Sequence, residues 1–265
     1  MISLIKILKE AQIQPKAIIL AGAPGAGKGY ILKGLDLSGL TTYNIDFDFV
    51  PMLKAAGVTL DLKNATAEER SQAARLMQQA SAKLKVEDLP KAIAERESFI
   101  LDGTAASFRT TVKLKDELEN AGYEVFMLYV YTDLERSLKQ NQDRFDKSGD
   151  RSLAPAIVMR TWNSVTKNYS PYKSLFGNNF VSVANTLENQ EISDLESIIK
   201  TYLTPFKPQN TKPKDAKSQA RSDKQKAKIN AEIKALLTDE GVKDIIDNSV
   251  SREEAQSKIK SFING

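Results

Sequence analysis

Gly22-Ala23-Pro24-Gly25-Ala26-Gly27-Lys28 decides how this chain is read. The apolar run Ala17–Ala21 precedes it and a helical stretch, Tyr30–Leu35, follows. A strand, a glycine-rich turn and a helix in that order are the context that the G-x-x-x-x-G-K motif requires. The glycines let the backbone wrap an anion closely, with several N–H groups pointing inward. The helix N-terminus behind the loop adds partial positive charge. Lys28 then reaches the β- and γ-phosphates of ATP. Gly22, Ala23, Pro24, Gly25, Ala26, Gly27, Lys28, Gly29 and Tyr30 are therefore expected to line a nucleotide site. The motif wants Ser or Thr after the lysine, to bind Mg²⁺ through its hydroxyl. Here that residue is Gly29, and the next is Tyr30. Either waters and carboxylates hold Mg²⁺, or the chemistry is weak or absent.

Working outward, five short apolar runs read as buried strands: 17–21, 42–47, 98–102, 124–130 and 180–183. Near-continuous apolar runs suit parallel strands covered on both faces. Helical patterns separate them, and Thr66/Glu69, Thr132/Glu135 and Ser193/Glu196 have capping-box spacing. Strands alternating with helices imply βαβ units. The expected fold class is thus α/β, a three-layer P-loop kinase fold with a parallel five-stranded sheet. Residues 49–97 form a longer, mostly helical excursion over 67–85 and 89–96, placed where it could cover a ligand.

Acidic residues stand at the ends of two of these strands. Asn44-Ile45-Asp46-Phe47-Asp48-Phe49 closes the second, and alternation along a strand sends Asp46 and Asp48 the same way. Carboxylates at strand C-terminal ends lie where α/β sheets bind ligands. One could take the proton of an attacking hydroxyl, and the other could orient it or bind Mg²⁺ water. Phe99-Ile100-Leu101-Asp102-Gly103-Thr104 puts Asp102 at the Walker B position, where an acid holds Mg²⁺ or its waters. Arg144 and Arg151 flank the polar stretch Asp146–Asp150, which reads as a lid. Arginines stabilise phosphoryl charge with planar, permanently charged forks.

The whole-chain composition bounds these readings. The 265 residues hold no cysteine and no histidine, which excludes disulfides and His- or Cys-ligated zinc. Any general base is then a carboxylate, a lysine or a water. No run approaches the ~18 apolar residues of a membrane span, and no signal peptide is evident. The expectation is a cytoplasmic protein that does not engage a membrane. Residues 1–16 read as a helix and lead-in, within a kinase domain over 1–204. The net charge of +4 comes from one segment: residues 207–228 carry eight Lys/Arg against two Asp. With Pro205, Pro208 and Pro213, residues 205–228 read as a basic flexible linker. Residues 229–265 read as a small helical tail, with a capping box at Ser251/Glu254. The region 205–265 could engage a protein partner or, through its charge, nucleic acid.

Together, these residues resemble a family. The glycine loop, Asn44–Phe49, Phe99–Thr104 followed by Arg109-Thr110-Thr111, Ala121-Gly122-Tyr123-Glu124-Val125, and Arg151-Ser152-Leu153-Ala154-Pro155 look, in that order, like the zeta-toxin group of P-loop kinases. The loop alone is similar to that of adenylate kinases, and the lid pattern to that of polynucleotide 5′-kinases. The zeta-toxin resemblance covers roughly residues 15–185. It implies a kinase that uses ATP or GTP with Mg²⁺, whose founding members phosphorylate a hydroxyl of UDP-N-acetylglucosamine. By position it makes Asp48 the catalytic base, puts Asp102 where the family has Glu, and matches Arg151, and more loosely Arg144, to lid arginines. Three alternatives remain open from the residues: a kinase acting on a small molecule, nucleotide sugar or nucleotide; a polynucleotide 5′-hydroxyl kinase; and a catalytically weak nucleotide-binding assembly protein.

Overall fold

The computed structural model describes residues 14–186, 216–238 and 240–264. Five strands, β1 (Lys16–Ala21), β2 (Thr41–Tyr43), β3 (Phe99–Asp102), β4 (Glu124–Tyr131) and β5 (Phe180–Ala184), form one sheet in the order β2-β3-β1-β4-β5. Every pairing is parallel, with Ile18 beside Ile100 on one flank and Phe126 on the other. The central strands β1 and β4 are buried nearly throughout, as two-sided coverage demands.

Helices cover both faces. They are α1 (Lys28–Leu32), α2 (Asp46–Ala55), α3 (Ala67–Lys83), α4 (Leu89–Ala94), α5 (Phe108–Asn120), α6 (Leu134–Ser148), α7 (Pro155–Lys167), α8 (Tyr169–Phe176), α9 (Ala216–Thr238), α10 (Glu240–Asp247) and α11 (Arg252–Asn264). One core layer joins Ala17, Ile19, Met127 and Tyr129 of the sheet to Trp162 and Tyr169. The opposite layer joins Ile18, Leu20, Leu128 and Val130 to Ile31 and Phe262. Successive strand residues thus feed opposite faces, the period-two rule of a pleated strand. A third cluster, around Phe49, Leu53 and Ala80, holds α2 against α3 at one side of the sheet.

Four expectations change. β2 stops at Tyr43, because Asn44 Oδ1 accepts the Asp46 N–H (2.8 Å) and turns the chain into α2. Asp46 and Asp48 therefore sit in the first turn of a helix, not on one face of a strand. Thr132 does not cap α6. Its hydroxyl donates to Asn185 O (3.0 Å), and Asp133 takes the cap position. Residues 216–228, expected within a flexible linker, are the first half of α9. Lys, Arg, Gln and Ala are strong helix formers, and the last of the three prolines is Pro213. Finally, the tail is part of the main fold. Ile233, Val242 and Ile245 join one core layer, and Ala255, Ile259 and Phe262 the other. Residues 1–13 and the pair Ser193/Glu196 lie outside the described residues, while Lys16 already belongs to β1. The Thr66/Glu69 capping box forms on both sides, and Ser251 Oγ accepts from Glu254 N at 3.1 Å. No helix among the described residues is long and apolar enough to cross a membrane.

Candidate functional site

The glycine loop runs from the tip of β1 into α1, and three neighbours hold its outer side. Ser137 Oγ of α6 donates to Pro24 O (2.6 Å), Asn185 Nδ2 donates to Ala26 O (2.8 Å), and Gly22 N donates to Thr104 O (3.2 Å). Two glycines are required by space as well as by torsion. Gly22 has φ +154°, and a Cβ there would come 2.7 Å from Val130 O. Gly25 has φ +78°, and a Cβ would come 3.0 Å from Ser137 O. The Pro24 and Ala26 carbonyls are thus taken by Ser137 and Asn185, which disposes the remaining N–H groups of the loop to form an anion nest.

Above the loop lies a cleft of about 560 Å³. Its wall includes loop residues Pro24–Gly29 together with Asp46, Asp102, Arg144 and Arg151. Lys28 Nζ donates to Gly22 O (3.2 Å). Burial pushes the Lys28 ammonium below its ordinary pKa; the nearby Asp102 carboxylate opposes that, and Arg144 adds to it. Asn44 ties two strand ends together: its Nδ2 donates to Asp102 Oδ2 (2.9 Å) while its Oδ1 holds Asp46 N.

The lid side is equally specific. Arg151 grips Asp46 with Nε to Oδ1 at 3.0 Å, and Nη2 to Oδ1 and Oδ2 at 2.6 and 2.8 Å. Its guanidinium also lies over the Phe49 ring, 5.4 Å from the centroid. Arg144 bonds Asp150 through Nε (3.1 Å) and Nη2. Burial works against the Asp150 carboxylate, but the Arg144 hydrogen bond and charge win and hold it below its ordinary pKa. The chain after Arg151 is pinned twice. Ser152 N donates to Leu60 O (3.0 Å) and its hydroxyl to Asp61 Oδ1 (2.8 Å). Asn141, buried on α6, brackets Leu153, donating to its carbonyl (2.8 Å) and accepting from its N–H (3.0 Å).

The structure thus brings Lys28, Asp46, Asp102, Arg144 and Arg151 to one cleft, with Gly22 and Ala23 in the turn beneath it. Tyr30 stands exposed at the start of α1, outside the cleft wall. Asp48 lies two residues beyond Asp46 on α2 and is not in the wall. Its Oδ1 accepts from Lys83 Nζ (2.6 Å), at the point where α3 passes into a π-turn over Leu84–Asp88. The Asp48 hydrogen bond raises the Lys83 pKa. Asp46, expected to serve a metal, has both oxygens engaged by Arg151.

Mg²⁺ sites of nucleotide enzymes use one or two carboxylates plus phosphate oxygens and waters. Asp102 beside the phosphate loop fits that pattern. No cluster of three acidic ligands occurs among the described residues, so nucleotide phosphates would have to complete the shell. Sequence reasoning missed Asn44, Asn141, Ser137, Asn185 and Lys83. Asn44 lies inside the quoted motif, and its position after an apolar strand and before two acids was a usable signal. The others act across the fold and leave no local pattern.

The family model described as zeta toxin matches residues 3–192 of this chain. Among solved structures, the complex of AvrRxo1-ORF1 and AvrRxo1-ORF2 with ATP contains a chain 14% identical, at TM-score 0.49, covering 95% of this chain and 83% of that one. A chain of the PezAT chromosomal toxin–antitoxin system of Streptococcus pneumoniae is also 14% identical, at TM-score 0.46, covering 86% and 94%. A search of curated proteins finds no match.

Proposed function

This chain belongs to the zeta toxin family, and from that premise we propose that it is a P-loop kinase moving the γ-phosphoryl group of ATP or GTP to an acceptor hydroxyl. The acceptor class is a small molecule, a nucleotide sugar or a nucleotide. The observation that supports this reading most is the convergence of Lys28, Asp102, Arg144 and Arg151 over a glycine loop whose Pro24 and Ala26 carbonyls are bonded to Ser137 and Asn185.

Phosphoryl transfer is chiefly positioning and charge stabilisation. The loop N–H groups hold the β-phosphate, and Lys28 exchanges its bond to Gly22 O for β- and γ-oxygens. Arg144 and Arg151, already at the cleft wall, pair with the equatorial oxygens of the transferring group. Asp102 would hold Mg²⁺, which would supply neutralisation of the phosphate charge. The acceptor oxygen attacks the γ-phosphorus, the bond to the β–γ bridging oxygen breaks, and the nucleoside diphosphate leaves.

The acceptor's proton goes to a carboxylate. Asp46 is committed through both oxygens to Arg151, which makes it the anchor of the lid arginine. Asp48, outside the cleft wall, is engaged through Oδ1 alone among the described residues, leaving Oδ2 to take a proton, and it is the residue for which the zeta-toxin resemblance implies that role. We therefore assign the base to Asp48 and the positioning of Arg151 to Asp46.

The test is a transfer assay with γ-labelled ATP against UDP-sugars, nucleosides and 5′-hydroxyl oligonucleotides. Label should pass to one of these classes and be lost in Lys28→Ala. Unchanged transfer by that variant would overturn the assignment of the loop. ATP binding with no transfer to any acceptor would favour a non-catalytic role.

A further inference from the structure

The helix behind the phosphate loop is short: α1 spans Lys28–Leu32, five residues. Helices of that length do not hold on their own in water. It also begins without a side-chain cap, at Gly27 in the left-handed region. Its last carbonyls have no partners within the helix and need external donors. Those donors come from α11, more than two hundred residues away in sequence. Gln256 Nε2 donates to Ile31 O (2.7 Å) and to Lys33 O (3.2 Å), and Arg252 Nη2 donates to Lys33 O (2.6 Å).

Arg252 does two more things there. Its guanidinium lies 4.2 Å from the centroid of the Tyr30 ring, a stacked cation–π distance. It also brings positive charge to the C-terminal end of α1, the favourable sign for a helix dipole. Its Nε is buried with no acceptor among the described residues, so the head group is held in place against the cost of an unmatched donor.

Arg252 and Gln256 are four residues apart and share one face of α11. Ala255, Ile259 and Phe262 form another face, which packs with Ile18, Ile31 and Phe126 in the core layer on that side of the sheet. The helix therefore meets α1 in two ways, through apolar packing shared by the sheet and Ile31, and through polar capping by Arg252 and Gln256. It lies wholly beyond the segment matched by the zeta toxin family, residues 3–192.

We infer that Arg252 and Gln256 are positioning residues of the nucleotide site, holding α1, and through it Gly27 and Lys28, in the geometry that grips a triphosphate. This rests on the kinase reading above. The C-terminal helix is then a working part of the phosphate site, although it touches no substrate.

The experiment uses the full-length protein, ATP affinity by titration calorimetry and melting temperature by calorimetric scan. The variants are Arg252→Ala/Gln256→Ala, Gln256→Glu, Arg252→Lys and Phe262→Ala. The double variant should bind ATP about 10-fold more weakly, a loss of about 1.4 kcal/mol. Its melting temperature should stay near wild type. Gln256→Glu, similar in size but without the amide donors, should weaken ATP alone, and Arg252→Lys should keep part of the affinity. Phe262→Ala should do the reverse, lowering the melting temperature while ATP affinity, measured well below it, stays within about two-fold, because its ring packs on Phe126 of β4 and the hydrogen bonds that cap α1 come from Arg252 and Gln256. Wild-type affinity in both the double variant and Gln256→Glu overturns the inference. So does an equal loss of affinity in Phe262→Ala, which would make the effect general destabilisation. If wild-type protein fails to bind ATP, it is the kinase reading that falls, and Lys28→Ala, which removes only the loop's ammonium, then changes nothing.

Discussion

Lys28 is the residue whose titration is tied to function. Burial lowers its pKa in the free protein more than the carboxylates around it restore. A polyphosphate would favour the ammonium and raise that pKa, so binding must take up a proton at alkaline pH. In the window between the free and bound values, affinity should fall by up to about tenfold per pH unit as pH rises. Calorimetry in two buffers of different ionisation enthalpy measures that uptake directly. It should vanish in Lys28→Ala. For folding alone the sign differs: a depressed lysine pKa makes the free protein more stable as pH climbs from the depressed value toward the ordinary one. Among the acids, Asp48→Asn should lower kcat by about 10²–10⁴, the usual loss on removing a general base, with KM little changed. Asp46→Asn should instead raise the KM for ATP, because Arg151 loses a carboxylate that holds it through three hydrogen bonds. A single-turnover series on the two variants separates these outcomes. If Asp46→Asn loses the chemical step and Asp48→Asn does not, the two roles exchange.

At the scale of elements, the lid between α6 and α7 is positioned by buried polar contacts that bracket Arg151. Asn141→Ala would leave both the N–H and the C=O of Leu153 without their partner, about 1–3 kcal/mol for each group that stays dry. Thermal denaturation should show that loss, and steady-state kinetics should show a raised KM for ATP from a loosened Arg151. An unchanged melting temperature would mean that water replaces the amide. The elements themselves were partly legible in the sequence. Four strands stood out because burial imposes unbroken apolar runs, while β2, Thr41–Tyr43, is not buried and was found only next to the apolar residues that open α2; Gly22–Lys28 announced its own turn by composition. The end of β2 was read too far, since Ile45, Phe47 and Phe49 suit a strand as well as a helix face. One side-chain bond, from Asp46 N to Asn44 Oδ1, decides between them. The cleft carboxylates were found for the right chemistry and the wrong local geometry. Asn141, Asn185 and Ser137 were invisible because each binds a backbone carbonyl that only the tertiary fold brings near.

The whole molecule differs most from its linear reading at the C-terminus, where charge and proline content suggested a linker and an appendage. Exposed lysines and arginines on the first half of α9 hid a helix that becomes apolar on one face after Ile229. From there Glu232 accepts from Asn163 Nδ2 and pairs with Lys167 of α7, both at 2.9 Å. Val250 N donates to Ser182 O (2.8 Å), beside β5. Ile233, Val242, Ile245, Ile259 and Phe262 are each less than a tenth exposed and are divided between both faces of the sheet. Fully burying such a side chain contributes about 1.5–3 kcal/mol, so these five are worth on the order of 10 kcal/mol. That is comparable with the whole stability of an ordinary domain, about 5–15 kcal/mol. Removing residues 205–265 should therefore leave a chain without a cooperative melt or near-ultraviolet circular dichroism, rather than a kinase lacking a tail. The intact protein should unfold in one transition, because no core layer of the sheet is complete without α9–α11. Two calorimetric transitions, or a truncated chain melting cooperatively within a few degrees of full length, would show that the tail is a separate body. Any role for residues 216–265 in binding a partner is better tested by charge reversal at Arg221, Lys224 and Lys226. These side chains are exposed on the outer half of α9 and absent from the core clusters.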